Sequence, residues 1–181
     1  MISFDLAVNY ILRGEGVLED DPSDAGGITK YGISLRFLKA VDVDNLKKYG
    51  VGDLIDADTI RNLTIDQAKA VYQGEFWNHA PFGQLGHQDV ANYIFDMAVN
   101  EGIAPAIKCA QRATWAVMKQ KGIIEDDGIL GNDTISLINQ CYPYILPAMR
   151  SERAGYYRLT AVIHPQDERY LAGWLNRAYK G

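Results

Sequence analysis

Between Glu15 and Asp24 the chain places five carboxylates, Glu15, Glu19, Asp20, Asp21 and Asp24, among Gly14, Gly16, Pro22, Ser23, Gly26 and Gly27. Two carboxyl groups of unlike pKa are what hydrolysis of a glycosidic bond needs. One stays protonated and donates to the leaving oxygen; the other is ionised and activates water or stabilises an oxocarbenium-like centre. Glu15 is the candidate acid. It follows a helical segment, and a carboxyl at a helix C-terminus meets the negative end of the dipole and the unpaired last carbonyls, which raise its pKa. Asp20, Asp21 and Asp24 are candidates for the second carboxylate. Spacing favours Asp24, nine residues after Glu15; Thr29, five further on, could hold the attacking water or simply cap local backbone. The same aspartates, proline, serine and glycines also make ordinary turns, so spacing alone leaves both readings open. A calcium loop is disfavoured, because the twelve-residue pattern with its terminal glutamate is missing.

The elements that must position these groups read as helices. Phe4, Ala7, Val8, Ile11 and Leu12 form one helical stripe, with Ser3 as N-cap and Gly14 as stop. Residues 17–34 suit one small β-hairpin, and residues 34–42 a brief helix before a glycine-punctuated connection over 47–56. Thr64-Ile65-Asp66-Gln67 has the form of a capping box opening a helix that runs to Phe76 or Trp77. From Asp89 to Glu101 the inward stripe is Ala91, Ile94, Phe95 and Ala98, while Asn92, Asp96 and Asn100 form a column on the other face. Further helices are expected over 105–121, from Asp133, over 144–163 and over 166–179, with a turn at Asp126–Gly131. The fold class is therefore mainly α. Two segments, 1–100 and 101–181, are expected to fold as one body.

Composition narrows the partners. A formal charge of −5 argues against nucleic acid as the principal ligand. The first residues lack a basic n-region and an apolar run, so no signal peptide is readable, and no window has the length and apolarity of a membrane span. The expected product is a soluble monomer made in a cytoplasm. Cys109 and Cys141 have no motif spacing and read as buried thiols. The three histidines show no ligand spacing, so neither a metal nor a cofactor is expected. The segment from Arg150 onward is locally basic. Its last helix, with Tyr170, Leu171, Trp174 and Leu175 on one side, suits either docking on the core or a weak contact with an anionic outer membrane.

Several motifs, in order, carry a resemblance. Arg13-Gly14-Glu15-Gly16, Asp21-Pro22, Gly26-Gly27, Thr29 and Tyr31-Gly32-Ile33-Ser34 closely resemble the opening of glycoside hydrolase family 108, whose members are N-acetylmuramidases found largely as phage endolysins. Glu75-Phe76-Trp77 and Phe95-Asp96-Met97-Ala98-Val99-Asn100-Glu101-Gly102 resemble two further blocks of that family. Asp127-Gly128-Ile129-Leu130-Gly131-Asn132-Asp133-Thr134 looks like the turn of its C-terminal peptidoglycan-binding segment, and Glu152-Arg153 with Gly173-Trp174-Leu175-Asn176-Arg177 like its closing helices. The order glutamate, aspartate, threonine is also that of the T-even phage lysozymes. Val17 departs from the family, which often has a second glycine there.

The resemblance implies a lysozyme-like helical fold and Glu15 as the acid that protonates the bond between N-acetylmuramic acid and N-acetylglucosamine. It implies peptidoglycan glycan strands as substrate, with action on the wall in the periplasm after holin-type release and lysis of the host. Asp20, Asp21, Tyr31, Trp77, Asp96 and Asn100 are candidate substrate contacts. Tyr31 and Trp77 could offer apolar platforms to sugar faces or belong to the core; Asp96 and Asn100 could line the cleft or be interhelical groups buried with partners. Two alternatives stand beside hydrolysis: lytic transglycosylation, which leaves 1,6-anhydro ends, and a non-catalytic peptidoglycan-binding or structural protein.

Overall fold

In the computed structural model, residues 1–13, 18–19 and 27–180 are described. Contacts divide the chain into two compact units, Phe4–His79 and Ala80–Gly181, the latter including Met1–Ser3. The sequence boundary at 100/101 lies inside the second of these, at the end of a helix. Among the described residues the chain is mainly α, with one small antiparallel sheet in the expected place, and no helix is long and apolar enough to cross a membrane.

In the first unit α1 (Phe4–Leu12) buries Ala7, Val8 and Ile11 of the stripe its spacing predicts, with Phe4 and Leu12 half-buried at its ends. Three two-residue strands follow, β1 (Leu18–Glu19), β2 (Thr29–Lys30) and β3 (Ile33–Ser34), paired in that order. Leu18 faces Lys30 and Glu19 faces Thr29, while Thr29 faces Ser34 and Lys30 faces Ile33. The sheet is thus one strand wider than a single hairpin. Ser34 leaves β3 and caps α2 (Leu35–Ala40), its hydroxyl accepting from the Phe37 amide at 3.1 Å. Two short helices, α3 (Val43–Lys48) and α4 (Ala57–Asn62), occupy a stretch whose pattern suggested mostly connection. Asp42 and Asp56 cap them, and each contributes one buried anchor, Leu46 and Ile60. The unit closes with α5 (Ile65–Glu75), opened by the Thr64/Gln67 capping box; it packs on α1 and buries Ala68, Val71 and Tyr72. A 3₁₀ turn, Trp77–His79, ends it.

The second unit is built on α6 (Gln88–Glu101), of which Val90, Ala91 and the whole run Tyr93–Ala98 are buried. A helix apolar on several faces must be covered on several sides. α7 (Ile103–Met118) packs on α6, and α9 (Ile145–Ile163) packs on both. α8 (Asn132–Gln140) lies on α7. Residues 166–179, expected as one helix, form a 3₁₀ segment over Pro165–Tyr170 and then α10 (Leu171–Tyr179). Leu171, Trp174 and Leu175 of α10 pack against Ala154, Tyr157 and Ala178, so the apolar side of the last helix docks on its own unit. Cys109 and Cys141 are free and buried.

Arg153 is the least expected member of this core, with no exposure at all. Its Nη1 donates to Asp96 Oδ2 at 2.6 Å and its Nε to Glu101 Oε1 at 2.7 Å and to Tyr157 Oη at 3.0 Å. Its guanidinium also lies 5.4 Å from the Tyr93 ring centroid. Burial works to lower the Arg153 pKa, but the neighbouring charge of Asp96 leads the effects that outweigh it, and the group stays cationic. Burial pushes Glu101 up, against the pull of Arg153. Stranding a buried ion costs about 3–5 kcal/mol, far more than an exposed pair contributes. Arg153→Met should therefore lower unfolding stability by about 3–5 kcal/mol in urea titration, and adding Asp96→Leu and Glu101→Leu should recover much of the loss. A loss below about 1 kcal/mol for Arg153→Met would contradict this placement.

Candidate active site

Glu15, Asp20, Asp21 and Asp24 lie outside the described residues. What is described around them in the chain is α1 ahead of Glu15, β1 between Glu15 and Asp20, and β2 and β3 after Asp24. Thr29 sits on the middle strand, half-buried, between Glu19 on one side and Ser34 on the other. Its hydroxyl donates to the Gly27 carbonyl at 3.2 Å. A hydroxyl that donates once still has lone pairs to accept with, so Thr29 can cap backbone and receive a hydrogen bond from water together.

Tyr31 heads the two-residue turn between β2 and β3, with φ of 54°, followed by Gly32 at 78°. Positive φ at both central residues matches the twist of a tight hairpin. The Tyr31 carbonyl accepts from Tyr72 Oη of α5 at 2.8 Å. The Lys30 ammonium lies 5.4 Å from the Tyr31 ring centroid and donates to the Arg61 carbonyl at 2.6 Å. Trp77 is half-buried and meets Phe4 of α1 edge to face at 5.4 Å. Both aromatics thus have packing partners within the first unit.

The structure adds a charged group in this unit that the sequence reading did not place in the site. Glu75 Oε1 accepts from Tyr49 Oη at 2.7 Å and from Asn45 Nδ2 at 3.2 Å. Desolvation, then the hydrogen bond and charge of Glu75, push the Tyr49 phenol up to about 12. The approach is possible because residue 74 is glycine: a Cβ there would stand 2.0 Å from Tyr49 Oη. The visible signal was Glu75 at the head of the Glu-Phe-Trp block; its partners, 26 and 30 residues away, carried none.

The second unit holds the other candidates. Asp96 is engaged with Arg153 as described. Asn100 Nδ2 donates to the Asp96 carbonyl at 2.7 Å, and its Oδ1 accepts from Arg177 of α10. Asp96 and Asn100 thus each pair with an arginine of another helix, Arg153 of α9 and Arg177 of α10. Arg153 carried no functional signal in sequence beyond its place in a motif.

The Asp127–Thr134 turn is built around Gln111, 1% exposed on α7. Gln111 Nε2 donates to Asp127 Oδ1 at 2.7 Å, the Ile129 carbonyl at 3.1 Å and Thr134 Oγ1 at 3.2 Å, and its Oε1 accepts from the Gly128 amide at 3.0 Å. One buried amide thereby fixes a whole turn. Beside it lies a groove of about 510 Å³ bordered by Ile123, Glu125, Asp127, Ile129, Asn132 and Asp133. Among the described residues no group of three or more His, Cys, Asp or Glu is placed to hold a metal ion.

Comparison with known proteins adds three findings. The model of the family described as glycosyl hydrolase 108 matches residues 8–102. No curated protein matches the chain. Among solved structures, one titled as the structure of Brucella abortus SagA is similar over 98% of this chain and 97% of that chain, with a TM-score of 0.63 and 19% sequence identity. At that identity the likeness establishes the fold.

The Asp127 turn lies beyond the matched residues, and its strength depends on pH. The Gln111 side chain first, and then the Ile129 amide, hold the Asp127 carboxyl below its ordinary 3.8. A depressed carboxyl pKa gives stability that is complete above the unfolded value and is lost as pH falls through the folded one. Thermal melts of the native chain and Asp127→Asn should therefore differ near neutrality and converge as the pH falls below 3.8. A difference independent of pH would contradict this account of the turn.

Proposed function

The chain belongs to glycosyl hydrolase family 108, and from that membership we propose that it is an N-acetylmuramidase. It hydrolyses the β-1,4 bond between N-acetylmuramic acid and N-acetylglucosamine in peptidoglycan. The observation that carries this reading is the family match over residues 8–102, which contains Glu15, Asp24 and Thr29 together.

Chemistry supports Glu15 as the acid. In sequence it follows by three residues the end of α1, and in this reading its carboxyl gives a proton to the leaving glycosidic oxygen. As that bond breaks, positive charge develops on the muramyl ring, and Asp24 stabilises it or activates water, with Thr29 receiving the water's hydrogen bond. Water ends on the anomeric carbon and its second proton returns to a carboxylate. Asp20, Asp21, Tyr31 and Trp77 border the glycan in this reading.

The groove beside Asp127 is the proposed wall-binding portion, holding stem peptide or glycan. The natural setting is a phage endolysin: made in the host cytoplasm, released to the periplasm with the help of a holin, and acting as a monomer that lyses the host. Asp96 and Asn100, paired with arginines, support the fold in this reading more directly than the substrate.

Removing the acid tests the assignment. Glu15→Gln should lower release of reducing ends from purified peptidoglycan by on the order of 10²–10⁴-fold while helical circular dichroism is unchanged. Near-normal wall lysis by that variant would rule out Glu15 as the proton donor.

A further inference from the structure

Tyr72 is 1% exposed, on α5, and a phenol so deeply buried must satisfy its hydroxyl. Its hydroxyl donates to the Tyr31 carbonyl, 41 residues away, at 2.8 Å. That carbonyl belongs to the tip of a hairpin with only two residues in each strand, too short to be stable unsupported. Tyr31 is also one of the two described non-glycine residues at positive φ, a conformation that persists only where the surroundings impose it.

The phenol is well placed to impose it. The Tyr72 ring packs at 6.2 Å on Phe76, which stacks at 5.5 Å on Phe37 of α2, the helix that continues directly from β3. The Leu35 amide donates to the Ile28 carbonyl at 3.0 Å, tying the start of α2 back to the residue before β2. The hairpin is therefore held at its tip by the Tyr72 hydroxyl and at its base by Leu35. Between these two ties lies Thr29, whose direction is set by strand register; a shift of one residue would send its side chain to the other face.

We infer that Tyr72 is a positioning residue for glycan cleavage: by holding the Tyr31 carbonyl, its hydroxyl fixes the strand that carries Thr29. The inference rests on the reading of Thr29 as part of the hydrolytic site. Tyr72 itself touches neither substrate nor reacting atoms in this account. It governs how well the Thr29 hydroxyl is aimed, and misplacement of a positioned group by about 1 Å costs up to about a hundredfold in rate.

The test compares two buried hydroxyls in the full-length chain. Tyr93 Oη also donates to a backbone carbonyl, that of Ala178 at 2.6 Å, but in the second unit. Tyr72→Phe and Tyr93→Phe should both lower the melting temperature. Tyr72→Phe alone should lower kcat for peptidoglycan cleavage, by about ten- to a hundredfold, with KM changed by less than about twofold. Thr29→Ala should remove most of the further effect of Tyr72→Phe on kcat. Should Tyr72→Phe not fold, Gly32→Ala, which strains the same turn at φ of 78°, should give the same loss of kcat. A kcat for Tyr72→Phe equal to that of Tyr93→Phe, with Glu15→Gln inactive, would overturn the positioning role alone. If Glu15→Gln also remained active, the hydrolytic reading would fail and this inference with it.

Discussion

A guanidinium with no access to water must be neutralised where it stands, and that requirement organises the C-terminal helices. Arg153 of α9 reaches two carboxylates of α6, Asp96 and Glu101, five residues apart along the helix. Such an ion set contributes less to net stability than to uniqueness, because any packing that slides α9 along α6 strands a charge. Its neighbours follow from it. Tyr93 and Tyr157 present ring faces to the cation, and Tyr93 passes the constraint on through its hydroxyl to the Ala178 carbonyl of α10. Asn100, one turn beyond Asp96, extends the same seam to Arg177. The closing helix is thus located by hydrogen bonds as well as by the docking of Trp174 and Leu175.

The first unit solves a different problem with weaker means. Its sheet has strands of two residues, and its helices other than α1 and α5 have six. None could stand alone. Side-chain to backbone hydrogen bonds take up the slack: Asp42, Asp56 and Thr64 at helix starts, Ser34 at the strand-to-helix junction and Tyr72 at the hairpin tip. The proposed site, framed this way, is positioned by individual polar contacts more than by area, so single hydroxyls and amides should carry functional weight there. Glu75 is likewise held by polar contacts, here between side chains, from Tyr49 and Asn45.

What the sequence disclosed follows from how far each interaction reaches along the chain. The α1 stripe, the Thr64/Gln67 box and the α6 core positions Ala91, Ile94, Phe95 and Ala98 are local patterns, and each holds in the structure. Helices α3 and α4 escaped because six residues give too few turns for a period to show, and their aspartate caps look like turn residues. The 3₁₀ segment over Pro165–Tyr170 looks from sequence like part of one helix, because an amphipathic pattern does not distinguish the two geometries. The role of Asp96 was undecidable locally, since its partner lies 57 residues away. Conversely, the roles proposed for Glu15 and its neighbouring aspartates rest on sequence spacing and family resemblance.

The proposed function makes one chemical claim, that water is added across a muramyl glycosidic bond. Mass spectrometry of the soluble fragments released from purified peptidoglycan tests it most directly. The account predicts fragments ending in reducing N-acetylmuramic acid, one water heavier than their 1,6-anhydro counterparts. Products ending in 1,6-anhydro-muramic acid, or in reducing N-acetylglucosamine, would contradict it.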